Sequence, residues 1–178
     1  MKTLAFTFII FPLVFLSCSG KSPTPPSPQE FTVKSPEGLY ELTLPGDWKE
    51  KTNPGEKIEK MFVAPDKLGG FFVLRIPNPP DAEIKEPQLK SYVEGLEKRY
   101  RNFQASMQKV TEKYGRSIGL AEFTYDEETP RGPVSIHNYC EVIIHKMNYF
   151  NVCGAAPAAA WEQNKERIFN IFSTWKLL

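Results

Sequence analysis

Histidine and cysteine are scarce in this 178-residue chain, with two of the first and three of the second. Three cysteines are too few to build a small protein on disulfides. An excess of either charge is lacking as well: 22 Lys and Arg stand against 21 Asp and Glu, a formal net charge of +1. That balance leaves no electrostatic footprint for nucleic acid or for an anionic membrane surface. No Gly-x-Ser-x-Gly occurs, which removes the sharp turn that exposes a hydrolase serine. No glycine-rich loop is present to cradle a phosphate, and Gly69-Gly70 reads as a hairpin turn. No apolar run reaches the roughly 20 residues of a spanning helix. Proline is plentiful: sixteen residues are too many for a plain helical bundle. With 41% hydrophobic and 24% charged residues, the chain has material for one domain of ordinary size.

The first thirty residues read as an address. Lys2 gives the start one positive charge, and Leu4 to Leu16 follows as an apolar run interrupted by Thr7 and Pro12. Its 13 residues are too few to span a bilayer and suit a secretory signal. The run ends in Phe15-Leu16-Ser17-Cys18, which resembles the lipobox of bacterial lipoproteins, with Phe15 in place of the usual leucine. The resemblance implies that the signal, residues 1–17, is cut before Cys18. It also implies that Cys18 carries a diacylglyceryl group and an acylated amine, palmitate-type chains included. Such multiple chains give stable anchoring where one does not. The plainer alternative is an ordinary signal with a cysteine near the cut.

Residues 18–30 then form the lipidated N-terminus and a tether, with Pro23, Pro25, Pro26 and Pro28 close together. Twelve extended residues of this kind reach roughly 37 Å. Cleavage removes only Lys2 among the charged residues, so the remainder carries no net charge. The anchor, not charge, has to hold the protein at the membrane. Ser19 after the cysteine, rather than aspartate, points to the outer membrane under a sorting rule that some bacterial lipoproteins follow.

Residues 31–178 read as one globular domain with no internal repeat. Tyr40 to Leu44 alternates as a strand and stops at Pro45-Gly46-Asp47, with Trp48 just beyond. Met61 to Ala64 and Phe71 to Ile76 pair as a hairpin, and Pro77 to Pro87 is a loop. The pattern predicts a helix over Leu89 to Met107, with Leu89, Tyr92, Val93, Leu96, Tyr100, Phe103 and Met107 on one face. Strands are predicted over 108–114 and 117–125, with an acidic turn from Asp126 to Pro133. Ser135 to His145 and Met147 to Gly154 form a long hairpin. Val142 and Ile144 fall on one of its faces, with Ile143, Phe150 and Val152 on the other, so that part of the sheet should be covered on both sides. Pro157 opens a second helix, and Ser173 to Leu177 is extended. Strands, helix, strands, helix is the order of an α+β fold: a mostly antiparallel sheet flanked by helices.

Three features carry a resemblance over residues 31–178. The opening strand ends in Leu44-Pro-x-x-Trp48, a long helix follows the first hairpin, and a last helix leads into Phe172-Ser173-Thr174-Trp175. Together they resemble the PsbP-like fold, an α/β/α sandwich. The resemblance implies a binding module without shared catalytic residues, in a group that includes photosynthetic, Ran-binding and bacterial envelope proteins.

The candidate site residues are few. Counting outward from a turn at Lys146-Met147, with His145 facing Asn148, brings Cys140 directly opposite Cys153. The position is a non-hydrogen-bonded one, where Cα atoms lie about 4.5 Å apart. A disulfide between them is one reading, open to an exported protein; two small buried thiols are the other. A metal site from His137, Cys140, His145 and Cys153 fails on parity, since odd and even residues of one strand face opposite ways. The two histidines read as surface or hairpin-end residues. Asp126-Glu127-Glu128 lacks the ligand spacing of a calcium loop. No catalytic residue, metal or cofactor is expected. The expectation is a lipid-anchored cell-envelope protein that binds another envelope protein through the loops Pro77–Pro87 and Asp126–Pro133. The alternative is a carrier of a small apolar ligand, motivated by 13% aromatic residues; it requires a pocket between sheet and helix.

Overall fold

The structure, a computed structural model, describes residues 29–52 and 58–178. The leader, Cys18 and the tether up to residue 28 lie outside the described residues. Ten strands and two helices follow one another as β1 (Phe31–Lys34), β2 (Tyr40–Leu44), β3 (Lys49–Glu50), β4 (Ile58–Val63), β5 (Gly70–Pro77), α1 (Glu86–Glu97), β6 (Arg101–Lys113), β7 (Arg116–Thr129), β8 (Gly132–His145), β9 (Asn148–Pro157), α2 (Trp161–Thr174) and β10 (Lys176–Leu177). Seven strands make one antiparallel sheet in the order β3-β4-β5-β9-β8-β7-β6. The other three make a small antiparallel sheet, β1-β2-β10. The expected α+β fold, antiparallel and flanked by helices, is the one observed.

The long hairpin explains the layering. Lys146 and Met147 both take positive φ, 46° and 58°, the conformation of a two-residue turn whose twist matches the strands it joins. From that turn His145 faces Asn148, and the register runs without a slip to Ile136 opposite Pro157. Ile143, Phe150 and Val152 enter one core, with Tyr40, Leu42 and Leu44 of β2 and Ile168, Ile171 and Phe172 of α2. Cys140, Val142, Ile144 and Cys153 enter a second core, with Leu89 and Val93 of α1 and Ile84 just before it. One large sheet thus serves two cores, with α2 and the small sheet on one face and α1 on the other.

Each helix sits close to the sheet at a glycine. A Cβ on Gly154 would run into Ile168 Cγ2 of α2. One on Gly119 would come within 2.8 Å of Leu89 Cδ1 of α1. Both contacts are shorter than packed carbon atoms tolerate, so these two positions let the helices lie down on the sheet.

Three expectations are corrected. The predicted helix over Leu89–Met107 is two elements: α1 stops at Glu97, and Arg101 onward is strand, so Phe103 and Met107 lie on β6. The predicted acidic turn Asp126–Pro133 is mostly strand as well, with β7 running to Thr129 and β8 starting at Gly132. Pro157 closes β9, and a 3-10 turn over Ala158–Ala160 separates it from α2.

Candidate functional site

The α1 face of the large sheet is only partly covered. α1 lies over β6 and β7. Two bonds hold it there: the Ser117 hydroxyl donates to the Ile84 carbonyl, and the Val110 N–H donates to Glu86 Oε1 at 3.3 Å. Strands β4, β5 and β9 extend beyond its reach, and the space left over is a cavity of about 1200 Å³. That lies just above the usual range for small-molecule sites, about 300–1,000 Å³.

The sheet register explains the hollow. Gly70 of β5, Ala155 of β9, Asn138 of β8 and Phe123 of β7 lie side by side on adjacent strands. Two of these four have almost no side chain, so the floor dips where a branched residue would have filled it. The neighbouring row holds Phe72 opposite Cys153, and Cys153 opposite Cys140. The wall is one stripe of α1, formed by Gln88, Ser91, Tyr92, Gly95 and Leu96, and Arg99 just past its end lines the cavity too. Their spacing of three and four is that of one helix face. Gly95 meets nothing within 4 Å at its Cβ position, so the wall stands back from the floor there.

The lining is apolar and neutral at its centre. Burial raises the phenol pKa values of Tyr92 and Tyr149, and pushes Tyr125 up to about 12. All three therefore stay protonated at neutral pH. Asn151 Nδ2 donates to the Tyr92 hydroxyl at 2.8 Å and ties the floor to the wall. Asn138 is 3% exposed. It lies beside the Tyr125 phenol, and hydrogen bonding from its side chain there acts against the rise in that phenol's pKa. Gln88 Nε2 donates to Asp81 Oδ1 at 3.1 Å, and its Oε1 is buried without a donor. Charge appears at the exposed rim, where Arg99 has no ion-pair partner among the described residues.

The residues singled out from the sequence are placed as follows. Cys140 and Cys153 face one another with Cα atoms 4.2 Å apart, and their sulfurs are bonded. Cys153 lies in the cavity floor. His145 sits at the hairpin end, one of the two places expected for it, and is buried there; its Nε2 lies 2.9 Å from the Leu178 carbonyl. His137 is also no free surface residue. Its ring stacks on Trp161 at 4.0 Å between centroids, and its Nε2 lies 2.7 Å from Glu122 Oε1. The acidic run is engaged across the hairpin: Asp126 accepts from Asn102 Nδ2 at 2.6 Å, and Glu128 pairs with Arg101. The loop before α1 contributes Pro79, Pro80 and Ile84 to the cavity's edge, and the first turn of α1 contributes Pro87. Among the described residues no group of three or more His, Cys, Asp and Glu is placed to hold a metal ion. Nor is any helix among them long and apolar enough to cross a membrane.

Sequence reasoning missed Asn138 and Asn151. The signal was available: Asn138 shares the parity of Cys140, Val142 and Ile144, so it is an amide on an otherwise apolar strand face.

No family model matches the chain, and no curated protein matches it. Solved structures do. The cyanobacterial PsbP protein CyanoP of Synechocystis superposes with a TM-score of 0.63 at 12% identity, over 91% of this chain and 98% of its own. LpqN of Mycobacterium tuberculosis, described as involved in cell envelope biogenesis, gives a TM-score of 0.58 at 13% identity, covering 84% and 90%. The Ran-binding protein Mog1p of Saccharomyces cerevisiae gives 0.57 at 9% identity, covering 85% and 96%. Identities this low speak to architecture alone, and the architecture shared by all three is that of this chain: a PsbP/Mog1-like fold.

Proposed function

We propose that this chain is a lipid-anchored cell-envelope protein whose domain is a non-catalytic carrier of a small apolar ligand. The observation that carries the reading is the cavity of about 1200 Å³ between the large sheet and α1, apolar at its centre and open at a charged rim. A closed, filled sheet–helix interface would have left no room for cargo. The rival reading, capture of another protein, is supported by the Ran-binding protein Mog1p that shares the fold, but the two loops expected to carry it are not free loops. Most of Asp126–Pro133 is paired strand, and the Pro77–Pro87 stretch forms the edge of the cavity.

The anchor and the cargo are tested separately. Cells fed labelled palmitate are expected to label the wild-type chain and to leave Cys18→Ser unlabelled. An unlabelled wild-type chain, or equal labelling of the two, would sink the anchor. The Cys18→Ser chain in detergent-free buffer is expected to take up N-phenyl-1-naphthylamine, an uncharged aromatic dye whose emission rises in apolar surroundings. Saturable binding of one dye per chain supports the carrier. No rise above buffer would remove it.

A further inference from the structure

We propose that one end of the large sheet is a bilayer-contacting tip, through which the cavity exchanges its apolar cargo with a membrane. The inference rests on the carrier reading and names the surface that serves it.

Two hairpin turns form this end. Ile118 of β7 pairs with Ile143 of β8, so Arg116 and His145, each two residues nearer the same end, lie level. The β6–β7 turn, Tyr114-Gly115, and the β8–β9 turn, Lys146-Met147, therefore project side by side. All four residues take positive φ, and two-residue turns of this kind favour Asn and Gly. Tyrosine and methionine are strained there, because the side chain crowds its own backbone. Met147 gains no burial in return, being 60% exposed. Ile76 and Leu178 stand at the same end: Ile76 pairs with Tyr149, just past the Met147 turn, and Leu178 meets His145. Four of the seven large apolar side chains exposed among the described residues thus gather here. Scattered singly they would need no explanation; gathered, they mark a contact surface.

The charges of the two turns decide the partner. Arg116 follows the first turn and Lys146 opens the second, both exposed and without an ion-pair partner among the described residues. Apolar side chains and a tyrosine flanked by Lys and Arg suit the surface of a bilayer. The apolar groups enter the acyl region, the phenol stays near the headgroups, and the cations reach lipid phosphates. The chain as a whole has no excess charge, so apolar insertion has to supply most of the attachment.

The tip adjoins the cavity. Ile76, Asn78, Pro79 and Pro80 line the cavity at this end, and the Asn78 N–H donates to the Met147 carbonyl at 2.8 Å. An apolar molecule leaving here meets acyl chains instead of water, which removes the main cost of its transfer. Gln29 lies against Gly46, near the opposite end, where Trp48 meets Gly69. Seven steps along β5, from Gly70 to Pro77, separate the two ends by roughly 23 Å. The tether's reach of roughly 37 Å covers that, so an anchor does not hold the tip off the membrane.

The test uses the full chain with Cys18→Ser and a nitrobenzoxadiazole label, whose emission brightens and shifts to the blue inside a bilayer. The label is carried on Met147→Cys at the tip, or on Leu68→Cys at an exposed position of the opposite end. Cys140 and Cys153 are bonded to each other, so the new thiol is the one that reacts. With vesicles of equimolar phosphatidylcholine and phosphatidylglycerol, the label at position 147 is expected to respond and that at position 68 to stay as in buffer. No response at 147, or an equal response at both, overturns the tip. A chain held to the vesicle by its N-terminus alone gives no such difference.

Met147→Asn is the second variant. Asparagine tolerates positive φ, so a residue with only a structural role in the turn would lose nothing by the change. The tip predicts instead that N-phenyl-1-naphthylamine carried in the vesicles reaches the protein about tenfold more slowly, the scale of one apolar side chain's transfer out of water. Dye binding in buffer is expected to stay unchanged. Equal transfer rates for Met147→Asn and its parent would overturn the exchange route. A response at 147 from a chain that takes up no dye upholds the docking tip and sinks the carrier. Dye uptake in buffer with a silent position 147 keeps the carrier, overturns the tip and leaves this end to a protein partner.

Discussion

Trp175→Ala is expected to lower the unfolding free energy by about 3–5 kcal/mol, the range for deleting a large aromatic side chain from a core. Trp175 is 1% exposed and is the largest of the fully buried side chains. Its ring lies 4.5 Å from that of Tyr40 and 6.1 Å from that of Phe150, so it links the small sheet to the large one. The chain around it is tied down too. The Trp175 carbonyl accepts from the Tyr114 hydroxyl at 2.5 Å, and Lys176 pairs with Glu41 of β2. Removing the ring opens a cavity between two sheets that cannot collapse without breaking their pairing. Equilibrium unfolding in urea reads the loss as a lower midpoint. Trp175→Phe is the informative companion, because the indole N–H has no partner among the described residues. Phenylalanine sheds that unmet donor and keeps most of the contact, so its loss should be clearly smaller. Equal losses for Ala and Phe would show that the packing described here is not what holds the core.

The second large effect belongs to the Cys140–Cys153 bond. The two residues are 13 apart in sequence. Closing a loop of about that length restricts the unfolded chain by roughly 3 kcal/mol in the loop-entropy account. The double variant Cys140→Ala, Cys153→Ala is therefore expected to melt about 12 °C lower, taking about 4 °C for each kcal/mol in a domain near this size. Both cysteines are buried, at 0% and 2% exposure. Alkylation followed by mass measurement checks the bond itself. Without reductant, the unfolded Cys18→Ser chain should take up no alkyl group. With denaturant and reductant together it should take up two. Two added groups without reductant would mean that the two thiols are free.

The hairpin was legible because its sequence obeys one rule without interruption. Period-two alternation from Ile136 to His145 and from Asn148 to Pro157 fixes which residue faces which core, and a two-residue turn fixes the register. The stretch after α1 was misread for an equally physical reason. Strand β6 carries two irregularities against β7, one between Arg101 and Gln104 and one between Ala105 and Met107. An extra residue at a bulge shifts the alternation by one. A bulge puts Phe103 and Met107 on opposite faces, and past it Met107 packs against one core and Val110 against the other. The half-buried residues of β6 are Phe103, Met107, Val110 and Lys113, spaced by four, three and three. That is the spacing of a helix face, and it continues the true helical stripe of α1 without a visible seam. The cavity was illegible because it depends on what α1 does not cover. Only the three-dimensional register brings Gly70, Ala155 and Asn138 together from three different strands.

The small sheet also sets an order of events. Its central strand β2 is made early in the chain, yet one of its partners, β10, is Lys176–Leu177. A chain threaded through a membrane pore with its N-terminus leading cannot complete this sheet until those residues have emerged. Until then Tyr40, Leu42 and Leu44 lack the cover of Trp175 and α2. Apolar surface left uncovered during synthesis or export is the usual route to aggregation. The interval before closure is thus when this domain most needs a chaperone, and slow emergence of its C-terminus should lower its yield more than that of a domain built from local hairpins alone.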